Sequence, residues 1–129
     1  MERARIVLAD DHPELLTCIA GMLNSEFDVV EMVSDGQALV EAAQRLSPDV
    51  LISDITMPVL DGLEAARRVK QAGSTAKVVF LTIHQDQDFV KTALEAGGQG
   101  YVVKSRLASD LILAVREVLA GRSFISNLG

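Results

Sequence analysis

The sequence predicts an α/β domain in which a mostly parallel, five-stranded sheet is doubly wound, with helices covering both faces. Three observations carry that prediction. Short β-branched runs alternate five times with longer segments of helical period, as they must when parallel strands are joined by crossover helices. Runs such as Ile6-Val7-Leu8 and Val78-Val79-Phe80-Leu81 show no polar alternation, so both sides of the sheet need cover. Helix-starting and helix-stopping residues fall where the alternation requires them.

The first strand is expected at residues 4–9. Pro13 at a first helical position, with Asp11 or His12 ahead of it as cap, opens a helix whose apolar positions are 15, 16, 19, 20 and 23. A second strand at 28–33 is followed by Ser34 and Gln37 at capping-box spacing and by an apolar stripe at 38, 39, 42, 43 and 46. The third strand, at 50–53, precedes a helix over 62–71, with Leu63, Ala66 and Val69 on its stripe and Asp61 and Glu64 at its start. A fourth strand at 77–81 leads to apolar positions 89, 90, 93 and 94, and a fifth at 100–103 to positions 107, 111, 114, 115 and 118. Gly73, Gly97-Gly98 and Gly121 sit where helices should stop. Residues 1–121 read as one domain, and the aperiodic 122–129 as a C-terminal tail or the start of a linker to an output domain.

Composition excludes several classes. The 129 residues fit one domain, and 49% hydrophobic with 23% charged residues suffice for a core. A net charge of −6 repels phosphate backbones, so direct nucleic-acid binding by this segment is not expected. The single cysteine, Cys18, rules out an internal disulfide and a Cys-rich zinc site, and its apolar neighbours suggest that it packs as a small hydrophobe. No apolar stretch approaches the ~20 residues that span a bilayer. The first apolar run meets Asp10 and Asp11 too soon to be a signal-peptide core. A cytoplasmic protein without membrane contact is expected.

Ligands of open parallel sheets bind beyond the carboxyl ends of the strands. Asp10 and Asp11 follow the first strand, Asp54 the third, Thr82 the fourth and Lys104 the fifth, while the second offers nothing catalytic. Singly, each has an ordinary use as cap, loop start, strand end or solvated charge. Together, three carboxylates repel one another unless a cation lies between them, and hard oxygen donors select Mg²⁺ rather than zinc. Mg²⁺ in turn implies a phosphoryl ligand, whose oxygens suit the Lys104 ammonium and the Thr82 hydroxyl. Asp54 then reads as a carboxylate nucleophile that becomes an acyl phosphate. No glycine-rich nucleotide loop is present. His12 and His84 lack metal-ligand spacing and read as ordinary polar residues, and Met22, Met32 and Met57 as core or loop packing.

Val7-Leu8-Ala9-Asp10-Asp11-His12-Pro13, Asp54-Ile55-Thr56-Met57-Pro58 with Asp61-Gly62, Leu81-Thr82 and Gly100-Tyr101-Val102-Val103-Lys104 closely resemble the receiver domain of two-component response regulators. The resemblance covers the chain from Ile6 to about Leu119. It implies a flavodoxin-like (βα)5 fold of strand order 2-1-3-4-5. It also implies phosphorylation of Asp54 by a histidine kinase or phosphotransfer protein, with Mg²⁺ (Mn²⁺ substituting) held by Asp54, Asp11, Asp10 largely through water, and the Thr56 backbone carbonyl. Lys104 would contact the phosphoryl group. Thr82 and Tyr101 would shift together, the ring passing from exposed to buried, and the surface of the fourth helix, fifth strand and fifth helix would then control an output domain or partner in transcription regulation, or a homodimer. Such a domain is a signalling switch, not an enzyme beyond its own phosphoryl transfer and hydrolysis. Ile83 stands where a small residue is usual and would narrow access to the phosphoryl group. Ser105 replaces a proline, so no cis peptide is implied there. That absence and His84 resemble the subfamily that precedes a helix-turn-helix output.

A Mg²⁺-dependent phosphatase of haloacid-dehalogenase type combines the same groups, but its nucleophile follows the first strand and is trailed by a second Asp where Thr56 stands here. A flavodoxin-like electron carrier would need a Ser/Thr/Gly phosphate loop after the first strand. A degenerate receiver switching without phosphate is a third reading, opposed by the presence of all five site residues.

Overall fold

Strands form at β1 (Arg5–Ala9), β2 (Asp28–Val33), β3 (Val50–Asp54), β4 (Lys77–Thr82) and β5 (Gly100–Val103). Each leads to a helix: α1 (Pro13–Leu23), α2 (Gly36–Leu46), α3 (Gly62–Gln71), α4 (Gln87–Glu95) and, after a 3₁₀ turn at Lys104–Arg106, α5 (Leu107–Leu119). The computed structural model describes residues 3–128. The sheet is parallel throughout, in the order β2-β1-β3-β4-β5-β6. Its first five strands keep the expected order. The sixth, β6 (Phe124–Ile125), is an addition: two residues carry no readable period, and the strand is fixed instead by Phe124 N–H on the Gln99 carbonyl at 3.0 Å and Ser126 N–H on the Tyr101 carbonyl at 2.8 Å.

Strand alternation divides the core into two layers. Ile6, Leu8, Val50, Ile52, Val79, Leu81 and Val102 pack with α1 and α5. Val7, Ala9, Leu51, Val78, Phe80, Tyr101 and Val103 pack with α2, α3 and α4. With both faces covered, the middles of β1, β3 and β4 need no polar residues, so Ile6–Ala9, Val50–Ile52 and Val78–Leu81 are apolar without interruption, whereas edge strand β2 carries Asp28 and Glu31.

Several local expectations are revised. Asp35, not Ser34, caps α2, its Oδ1 accepting Ala38 N–H at 2.8 Å; Gln37 Nε2 reaches Glu41 instead. Asp61 caps α3 through Glu64 N–H at 2.8 Å, but the Glu64 carboxylate pairs with Arg67 and Arg68 rather than returning to the cap. His12 occupies the cap position of α1 without a side-chain bond to the helix; its carbonyl accepts Leu16 N–H at 3.1 Å. Cys18 is exposed, because it lies about 200° around α1 from Leu16 and so faces away from the buried stripe of Leu16, Ile19, Ala20 and Leu23. Met32, on edge strand β2, is likewise exposed. Gly73, Gly97 and Gly121 follow α3, α4 and α5 with φ of 89°, 105° and 84°, the left-handed conformation that ends a helix. The Lys104–Ser105 peptide is trans.

Candidate functional site

β1, β3, β4 and β5 are neighbours in register, so the residues that end them converge on one edge of the sheet. Asp10 leaves β1 with its N–H on the Val33 carbonyl at 3.1 Å, which holds the turn into α1. Asp54 ends β3 and is buried, with Oδ1 accepting Thr56 N–H at 3.3 Å. The turn beyond it depends on Gly62: a Cβ there would stand 2.0 Å from the Asp54 carbonyl oxygen, so α3 can start this close to the carboxylate only without a side chain.

Lys104 crosses from β5 to the centre of the cluster. Its Nζ lies 3.0 Å from Asp54 Oδ2 and 3.0 Å from Asp10 Oδ2. Burial lowers the Lys104 pKa, but hydrogen bonds and charge from Asp10 and Asp54 more than offset this and hold it above the ordinary lysine value. The ammonium therefore stays charged between two carboxylates. Asp10 Oδ2 is buried and, despite this ion pair, receives no well-directed hydrogen bond.

One residue that the sequence reading set aside joins the cluster. His12 Nδ1 is 2.8 Å from Asp10 Oδ1 and 3.1 Å from Asp11 Oδ1, and the His12 N–H also donates to Asp10 Oδ1 at 2.9 Å. The Asp10 hydrogen bond, then the Asp11 and Asp10 charges, raise its pKa above the usual imidazole value. Asp10, Asp11, His12 and Asp54 present ligand atoms within 4.8 Å of one another. The donor set and the under-coordinated Asp10 oxygen suit a hard divalent cation.

Thr82 and Tyr101 are both fully buried, so the ring lies inside here rather than in the exposed starting position that the resemblance implies, and the structure supplies a physical link between them. Thr82 Oγ1 accepts His84 N–H at 3.2 Å, and the Tyr101 hydroxyl donates to the His84 carbonyl at 2.8 Å. A single backbone residue thus touches both side chains. Burial, with some help from the Asp86 charge, pushes the Tyr101 pKa up to about 12. The His84 ring stacks on Phe89 of α4, centroids 3.9 Å apart. Ile83 and Val59, in the loops after β4 and β3, are 71% and 80% exposed.

An acidic cluster with a central lysine thus stands at the carboxyl edge of a doubly wound sheet, where ligands of this fold class bind. Residues 6–116 match the family described as the response regulator receiver domain, and the chain belongs to that family. It is 37% identical over 125 residues to the transcriptional regulatory protein DegU of Brevibacillus brevis, covering 95% of this chain and 53% of that protein. To the nitrate/nitrite response regulator protein NarL of Escherichia coli K12 it is 32% identical over 128 residues, covering 98% and 59%. The chain thus spans little more than half the length of these curated relatives. Among solved structures, a LuxR-family two-component response regulator from Aurantimonas sp. SI85-9A1 superposes with a TM-score of 0.92 at 33% identity, covering 97% of this chain and 91% of that one. The isolated receiver domain of RcsB from Salmonella enterica serovar Typhimurium, with the phosphomimetic BeF3−, gives 0.89 at 26%, covering 98% and 96%. The chain is a two-component receiver with transcription regulators among its relatives, a signalling domain and not an enzyme of the classical kind. Among the described residues no helix is long and apolar enough to cross a membrane.

Proposed function

We propose that this receiver is a phosphorylation-activated switch in which Asp54 accepts a phosphoryl group from a phosphohistidine of a histidine kinase or phosphotransfer protein. The observation that carries this reading is Lys104 Nζ at 3.0 Å from both Asp54 and Asp10. An Asp54 carboxylate oxygen attacks phosphorus; the O–P bond forms as the donor's N–P bond breaks, and the bonding pair leaves with the imidazole nitrogen. Charge spreads over the transferring oxygens, where Lys104 supplies a cation. Thr82 Oγ1 accepts from His84 and so keeps its own proton to donate to a phosphoryl oxygen. Asp10, Asp11, Asp54 and the Thr56 carbonyl would hold Mg²⁺, or Mn²⁺ in its place, which supplies charge neutralisation between carboxylates and phosphoryl oxygens. Hydrolysis reverses the change: water attacks phosphorus, the Asp54 O–P bond breaks, and inorganic phosphate leaves. Ile83 slows that step by narrowing access.

The added charge on Asp54 draws the Thr82 hydroxyl towards it, and the His84 backbone passes the movement to Tyr101 and the start of α4. The α4, β5 and α5 surface then binds its target differently, controlling an output domain in transcription regulation or forming a homodimer. In this reading residues 1–121 are the receiver, 122–129 are a C-terminal tail or the start of a linker, with Phe124–Ile125 docked on β5, and the chain works in the cytoplasm. Incubation with acetyl phosphate and Mg²⁺ tests it: intact mass should rise by about 80 Da for the unaltered chain and not for Asp54→Asn. A gain in both, or in neither, overturns the assignment.

A further inference from the structure

Besides Ser53, two buried polar residues have no part in the chemistry above. Asp110 lies on the apolar stripe of α5 and is 6% exposed; Ser126, just beyond β6, is 2% exposed. Ser126 Oγ donates to Asp110 Oδ2 at 2.7 Å and accepts Val103 N–H at 3.2 Å. Arg106 Nε donates to the same Asp110 oxygen at 3.0 Å, and Ser109 Oγ to its partner oxygen at 2.9 Å. Lys104 sits between the two anchored residues. Val103, immediately before it, is held through Ser126, and Arg106, two residues after it, is held by Asp110 directly.

A lysine side chain is long and flexible, so where its ammonium rests depends strongly on the backbone from which it springs. A buried carboxylate is also costly unless fully bonded, and this one spends its bonds on the two sides of Lys104. We propose that Asp110 and Ser126 are positioning residues for Lys104, and that through them the docking of residues 124–126 on β5 is linked to occupancy of the Asp54 site. The inference rests on the reading of Asp54 as phosphoacceptor. Linkage is reciprocal: a docked tail that presets Lys104 strengthens phosphoryl binding, and a phosphoryl group gripped by Lys104 firms the tail by the same factor.

Beryllofluoride with Mg²⁺ serves as the phosphoryl probe, titrated by calorimetry into the unaltered chain, Ser126→Ala and Asp110→Asn, well below the unfolding temperature of each. Affinity should fall by about fivefold or more in both variants, and hydrogen exchange at the Phe124 and Ser126 amides of the unaltered chain should slow by a similar factor on saturation. A purely structural role would lower the unfolding temperature and leave both readouts unmoved. The inference is overturned if the variants bind as tightly as the unaltered chain, or if exchange at those amides ignores the probe. The exchange measurement needs no substitution and decides the matter if a variant fails to fold. An unaltered chain that neither binds beryllofluoride nor gains mass from acetyl phosphate overturns the phosphoacceptor reading itself. One that does both while Ser126→Ala matches it overturns only the positioning role.

Discussion

Val59 has a φ of 69°, in a turn closed by Leu60 N–H on the Pro58 carbonyl at 2.7 Å. A β-branched residue in the left-handed region bears a cost on the order of 1–2 kcal/mol. Val59→Gly removes that strain and returns part of the gain as added freedom of the unfolded chain, so a net stabilisation of up to about 1 kcal/mol is expected. Urea unfolding reads it as a higher midpoint; a lower midpoint contradicts it. The same scale shows which site residues a sequence can reveal. Asp10, Asp11, Asp54, Thr82 and Lys104 were visible because each stands within two residues of the end of an apolar run, and strand ends share an edge. His12 was not, because its ring meets Asp10 only through the turn after β1, which no spacing rule encodes.

The joining of α5 to β6 shows the same division at the level of elements. The stripe of 107, 111, 114, 115 and 118 announced the helix, and Asp110 falls on that buried face, the one signal that could have marked it. Its partner Ser126 lies in a tail whose two-residue strand leaves no pattern. Caps were placed to within a residue, since Ser34 and Asp35 are both good cap types and only the backbone chooses between them. Burial would raise the Asp110 pKa, but hydrogen bonds from Ser126, Arg106 and Ser109 hold it below the ordinary 3.8. A carboxyl lowered by folding contributes stability that is fully present above its unfolded value and lost as pH falls through its folded value. The stability gap between the unaltered chain and Asp110→Asn should therefore be constant near neutrality and narrow below about pH 4. Urea midpoints from pH 6 to pH 3 measure it, and a gap that holds to pH 3 refutes the assignment.

For the molecule as a whole, periodicity established alternation and hence a parallel sheet, but strand order came from the family resemblance, because no apolar run names its neighbour. The acidic edge should also make stability depend on divalent ions. A ligand of the folded state at a hundred times its dissociation constant adds about 2.7 kcal/mol, so excess Mg²⁺ should raise the unfolding temperature and EDTA should reverse the rise. Asp11→Ala, at a partly exposed carboxylate, should abolish the Mg²⁺ response while folding normally. Calorimetry with and without the ion tests this, and an undiminished shift in the variant removes Asp11 from the ligand set.

The tail has one more consequence. β6 runs along the outer edge of β5, pairing Gly100 with Phe124 and Tyr101 with Ile125. Bare, that edge would offer its amides and carbonyls to any strand of another molecule, the usual opening for aggregation. A few residues of tail thus shield this flank of the sheet from its own kind, so whatever loosens them also brings the protein closer to clumping.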